Sequence, residues 1–231
     1  MSGIAKIQRG REDTRPASNV REARASKEIW FKDGDQAFAT SVATGDDNDK
    51  LLDQLELYTF RQGNRFANLL KDDDIDASAV PEGTRASHKF AFWAYVHEII
   101  HADKRDDAWE EVQGPSGRKL FKETVEDFKV IGLSFGRSDY LWNQLVDVHS
   151  DWGSLNKGVL RIKRTGTGMY DTSYTISVTA RQAEVPKEAL DTIGDLPTIK
   201  DYYKERYGAL WEPSASSNES EVKSENVNNL F

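Results

Sequence analysis

The feature that most constrains this chain is an unbroken aromatic and β-branched run, "FAFWAYVHEIIH", from Phe90 to His101. On a period of two, Phe90, Phe92, Ala94, Val96 and Ile100 share one face, with Glu98 the exception. Ala91, Trp93, Tyr95, His97, Ile99 and His101 share the other. A helical wheel puts apolar groups all round the segment, with no polar face before Glu98. Alternation with this composition predicts a strand. One face then packs inside and the other is available to a ligand.

The same run ends in "HEIIH" (97–101), which matches the H-E-x-x-H pattern of zinc peptidases. That chemistry needs a helix: residues four apart share a helical face, so two imidazoles hold one ion while the glutamate acts on bound water. On a strand His97 and His101 stand about 13 Å apart and cannot share an ion whose ligands sit about 2 Å away. The hydrophilic Ala102–Asp107 follows where a peptidase helix continues. The longer H-E-x-x-H-x-x-G-x-x-H form fails because Lys104 replaces its glycine. Glu123 and Asp127 imitate the E-x-x-x-D element of another peptidase class, but "LFKETVEDFKVIGLSF" (120–135) reads as a strand. The alternative function is a peptidase with His97 and His101 as ligands and Glu98 as base.

Elsewhere, Asp33-Gly34 within "EIWFKDGDQAFATSVA" (28–43) predicts a hairpin. "DQLELYTFR" (53–61) alternates as a strand, and 71–87 is an acidic, turn-rich surface loop. Ser138 can cap a helix over 139–152, where Leu141, Trp142, Leu145, Val148 and Trp152 have helical spacing and Gly153 stops it. Two β-rich runs follow around Gly166-Thr167-Gly168, and a short helix ends at Gly208. "RTGTGMY" resembles a phosphate loop, but its glycines join strands and read as a turn. The expected fold is mainly β with α additions, a small barrel with a central and a C-terminal helix.

Charge divides the chain further. Its net charge is −8, with no cysteine and therefore no disulfide or thiolate site. Residues 1–27 carry seven basic groups against three acidic ones, whereas 212–231 carry four glutamates against Lys223. The expected organisation is a basic flexible arm (1–26), a folded core (27–211) and an acidic tail (212–231), whose charged ends read most simply as solvated termini. "ASNVREARASKE" (17–28) can form a short helix. No apolar run reaches the roughly 18–20 residues of a membrane span, and no signal-peptide core is present. A cytoplasmic setting without membrane partners is the expectation.

Within this acidic chain, 157–181 is basic: Lys157, Arg161, Lys163, Arg164 and Arg181 face only Asp171. Arg161 and Lys163 share one strand face, Ile162 and Arg164 the other, and Tyr170 and Tyr174 follow on the return strand. Cations for phosphates beside aromatics for bases are what a single-strand groove requires. Lys119 adds a further cation, and Trp93 and Tyr95, beside Phe92, are candidates for a stacking platform. An exposed basic hairpin with core tyrosines is the structural alternative. No Ser/His/Asp order or paired carboxylate stands out as catalytic, and no cofactor is implied.

"FKDGDQA", "HKFAFWAYVHEII", "GRSDYLWNQLVDV" and "GVLRIKRTGTGMYDTSYTI" occur in an order that resembles phage single-stranded-DNA-binding (helix-destabilising) proteins of the T-even type. The resemblance covers roughly 27–207 and rests on the order of its motifs. It implies an OB-fold-like five-stranded barrel acting in DNA replication, recombination and repair in the host-cell cytoplasm. It also implies a basic arm promoting cooperative self-association and an acidic tail that recruits replication and recombination proteins through Leu230 and Phe231. T-even members insert a Cys/His zinc element, which a chain without cysteine lacks.

Overall fold

The computed structural model describes residues 27–43, 51–62, 65–71, 80–135, 140–167, 171–181 and 183–208. The basic arm, Ser138, Tyr170 and the acidic tail with Leu230 and Phe231 lie outside the described residues. The strands are β1 (Gln36–Val42), β2 (Asp53–Gln62), β3 (Arg65–Leu70), β4 (Arg85–His101), β5 (Glu110–Gln113), β6 (Lys119–Phe135), β7 (Leu160–Thr165) and β8 (Ser173–Val178). The helices are α1 (Tyr140–Trp152), α2 (Lys187–Leu190) and α3 (Ile199–Gly208). No helix among the described residues is long and apolar enough to cross a membrane.

The protein is mainly β, built on an eight-stranded antiparallel sheet. Its spine is the pair of 17-residue strands β4 and β6, joined from His88↔Phe135 to His101↔Phe121. Two strands share the other edge of β4 end to end: β2 pairs with its first half and β1 with its second. The sheet continues from β1 through β7 to β8, from β2 to β3, and from β6 to β5. β6 and β8 share no ladder among the described residues, so the sheet is open.

From Lys89 to Val96 both faces of the spine are buried, in keeping with a sequence that is apolar on both sides there. On the inner face Phe90, Phe92, Val96, Ile131 and Leu133 pack with Leu160, Ile162 and Ile176. Leu141, Leu145 and Val148 of α1 close that side, at the i, i+4, i+7 spacing of an amphipathic helix. On the outer face Trp93, Tyr95, Phe128 and Val130 pack with Leu55 and Leu57 of β2 and with Ile199, Tyr202 and Tyr203 of α3.

Two local expectations are corrected. The Asp33-Gly34 turn forms, with Gly34 at φ 81°, but its arms do not make a hairpin. Glu28 instead bridges in parallel to Val130 of β6, while β1 joins the opposite edge of β4. The turn therefore carries the chain across the sheet. The alternation read along Phe90–His101 also breaks, because the β4–β6 register shifts between Val96 and Glu98. A bulge inserts one residue and resets which face follows. Ile99 joins the inner core, and Glu98 turns outward.

Candidate nucleic-acid interface

Among the described residues the outer face divides into a half that α3 covers and a half that stays open. In the covered half Trp93 is 2% exposed, and its indole N–H donates to the Pro197 carbonyl at 2.9 Å. Tyr95 lies against Phe128 at 5.4 Å and is also buried, which raises the pKa of its phenol. A base cannot reach either ring while α3 is in place, so these aromatics are packing residues and not the expected stacking platform. A buried ion pair lies under the same helix. Lys89 Nζ is 2.8 Å from Glu28 Oε1, and the Tyr203 hydroxyl donates to that oxygen at 2.7 Å. Gly132 leaves the space: a Cβ there would stand 2.6 Å from Glu28 Oε1 and 2.8 Å from the Tyr203 oxygen.

The open half is assembled by register. One row across the strands reads Ser177, Arg161, Phe38, Glu98, Thr124. The next reads Thr175, Lys163, Gln36, Ile100, Lys122, Glu110. Alternation points these side chains outward, since Ala37, Ala39, Leu160 and Ile162 between them are buried in the inner core. Adjacent strands lie about 4.8 Å apart, so the first row spans roughly 19 Å. Neither Arg161 nor Lys163 has a carboxylate partner among the described residues. Two residues beyond Phe38, Thr40 enters the wall of a cleft of about 720 Å³ that Asn156 and Lys157 also line.

Arg181 reaches this face from beyond β8. Its guanidinium forks onto Glu98 at 2.5 and 3.3 Å and lies 5.8 Å from the centre of the Phe38 ring. Lys122 is 2.5 Å from Glu110, a hydrogen bond that raises its pKa. His97 borders the patch, with Nε2 3.1 Å from Thr40 Oγ1. Burial first, and Arg181 second, hold its imidazole below the usual range, so it adds no charge near neutrality. The patch thus holds Arg161, Lys163, Lys122 and Arg181 against Glu98 and Glu110.

Of the residues expected from sequence, Arg161, Lys163 and Arg181 meet on this face. Arg164 and Tyr174, a register pair, turn to the other. The Arg164 guanidinium donates to the Phe31 carbonyl and, at 3.0 Å, to the Thr172 hydroxyl; Tyr174 packs edge-on against Phe31 at 6.1 Å. Both close the core side of the hairpin and are removed from the candidate interface. Lys119 stands at the β5–β6 tip, paired with Glu111 at 2.8 Å. Phe38, Lys122 and Glu98 were missed. The first has a readable signal, an aromatic alternating with Ala37 and Ala39, whereas the others join the site only through long-range register.

The "HEIIH" pair does not converge. With β4 extended and bulged, His97 bonds Thr40 on the outer side, while His101 is buried between Asp35 and Glu123. No group of three His, Asp or Glu among the described residues has metal-holding geometry. Around His101, Glu123 Oε2 is 2.9 Å from Nε2, Asp35 Oδ2 is 3.4 Å from Nδ1, and Trp109 stacks at 3.8 Å. Burial opposes a charge there and Arg105 opposes it too, but the hydrogen bonds to Asp35 and Glu123 prevail and raise the imidazole pKa. The cluster ties the loop after β4 to the turn before β1. No family model matches this chain, and no curated protein matches it.

Proposed function

We propose that this protein binds single-stranded DNA without sequence preference, on the open half of the sheet's outer face. The carrying observation is that Arg161 and Lys163, without a carboxylate partner among the described residues, share one sheet face with Phe38 and Arg181 in a chain of net charge −8. Cations there replace the counterions of phosphates, and an aromatic face accepts a base of any identity. The strand order β8-β7-β1-β4-β6, with α1 leading from β6 to β7, supports reading the sheet as an OB-fold-like five-stranded Greek-key barrel, to which β2–β3 and β5 are additions. On this reading the protein protects and organises single strands during phage DNA replication, recombination and repair, in the host cytoplasm. The basic arm promotes cooperative self-association, and the acidic tail, with Leu230 and Phe231, recruits replication and recombination proteins.

Titration of labelled oligothymidine at two salt concentrations tests the proposal. Tight binding that weakens with salt is expected. Arg161→Ala with Lys163→Ala should lower the slope of log K against log salt by about 0.7 per lost phosphate contact. Both side chains point to solvent, so stability should stay within about 0.5 kcal/mol. Absence of binding by the wild-type protein would remove the function; an unchanged slope in the double variant would remove this face.

A further inference from the structure

Phe38 sits midway across the open half, between Arg161 on β7 and Glu98 on β4. It is half-buried, although its β1 neighbours Ala37 and Ala39 are fully buried. Among the described residues, the tip of the Arg181 side chain lies over its ring, 5.8 Å from the centre. Arg181 comes from the segment after β8 and is held there by Glu98, a residue 83 positions away in sequence. The Glu98 side chain is mostly shielded, at 15% exposure, whereas that of Arg181 is 44% exposed. This cation has one face toward solvent and a carboxylate where a phosphate would bind.

We propose that Phe38 is a base-stacking residue and that Glu98 and Arg181 form a latch over it, opened by the phosphate backbone of single-stranded DNA. The inference rests on the binding reading above and adds a regulated contact to that same face. An ion pair with one half-exposed partner is weakly held, because solvent and salt screen it and holding the long side chain costs entropy. The cation–π contact over Phe38 is weak for the same reason. A phosphate binds the guanidinium fork with the bidentate geometry that Glu98 now supplies. A strand laid along Arg161 and Lys163 brings such a phosphate to Arg181 at high local concentration. When Arg181 turns to it, the ring is uncovered beside the vacated position and a base can stack there. Glu98 therefore acts as an internal competitor that occupies the arginine and shields the ring without DNA. The glutamate of "HEIIH" has its role as an anion and not as a base.

Four substitutions test this against the wild type, with oligothymidine as the probe and a melting curve for each variant. Phe38→Leu keeps an apolar side chain but removes the π face; it should weaken binding roughly 5- to 150-fold, the range for one stacked base, while Phe38→Tyr retains wild-type affinity. Glu98→Gln keeps the shape and releases Arg181, so it should tighten binding several-fold at low salt and less at high salt. Glu111→Gln makes the same charge change at the β5–β6 tip, outside the latch, and should tighten it less. Equal gains from Glu98→Gln and Glu111→Gln would reduce the latch to bulk charge and overturn it. So would a loss of affinity in Glu98→Gln, or full affinity in Phe38→Leu. Those results leave the Arg161 and Lys163 test standing, whereas failure of the wild-type protein to bind oligothymidine removes the underlying reading. Glu98→Gln does not touch the core, so it carries the test even if Phe38→Leu lowers the melting temperature.

Discussion

The two halves of the outer face have the same backbone and opposite fates. Over the first half of β4 the outward residues Ala91, Trp93 and Tyr95 are apolar, and α3 covers them. Past the bulge the outward residues are Glu98 and Ile100, flanked by Phe38, Arg161, Lys163 and Lys122, and among the described residues no helix packs in a core cluster with them. A sheet face must be dry, or polar enough to meet water. This protein does one and then the other along a single strand. The lesson is that aromatic content does not by itself mark a face open to a ligand. The aromatics of the covered half hold a helix, and the proposed interface is the half with Phe38 among cations.

The largest effect that can break this division lies under α3. Lys89→Met removes the ammonium that pairs with the buried Glu28 carboxylate. Breaking a buried pair from one side costs about 3–5 kcal/mol, and the loss should appear as a lower denaturation midpoint. The fraction that remains folded should bind oligothymidine as the wild type does. A stable Lys89→Met protein that binds poorly would show that the covered half reaches the DNA.

A smaller effect is expected from Trp93→Phe. The ring still fills most of its site against Tyr202, 5.4 Å away, but the Pro197 carbonyl loses its donor. Loss of one such part-buried hydrogen bond costs about 0.5–1.5 kcal/mol. Thermal unfolding measures that cost, and the binding isotherm should not change. A binding defect without a stability loss would return Trp93 to the interface.

These contrasts explain how much was legible beforehand. Strands β2 and β4 and helix α1 were readable because their periodicity is local and strong. So was the outward pairing of Arg161 with Lys163, which needs only alternation. The identity of the covered half was not readable, because β4 is apolar on both faces and only α3, about a hundred residues later, decides between them. β3 and β5 were missed: "RFANLL" is a short apolar run without alternation, and "EEVQ" is a charged edge strand. Arg164 looked like a phosphate ligand by type, and only the proximity of the Phe31 carbonyl makes it structural. The pairs Glu28–Lys89 and Glu98–Arg181 join residues 61 and 83 positions apart, which no local pattern announces.

The smallest expected effect comes at the end of β4, where the open half gives way to the loop held by His101. The groups packed on this imidazole are Asp35 before β1, Arg105 and Trp109 from the loop, and Glu123 of β6. Its pKa is raised above the ordinary value of 6.5 in the folded state. A group of that kind contributes stability that is complete below the unfolded pKa and lost as pH rises through the folded one. Asp35 shifts the other way, its pKa lowered by the hydrogen bonds to His101 and Arg105 against the cost of burial, so its contribution disappears only in acid. Between about pH 6 and pH 9 the histidine alone of these two changes charge. His101→Gln should therefore be less stable than the wild type at about pH 6, with the gap narrowing toward pH 9, as read from denaturation midpoints across the range. A gap independent of pH would mean that His101 contributes packing on Trp109 and no charge. Oligothymidine affinity at constant salt should follow this change only weakly, because Phe38, Arg161 and Lys163 are positioned by β1 and β7 and not by the loop.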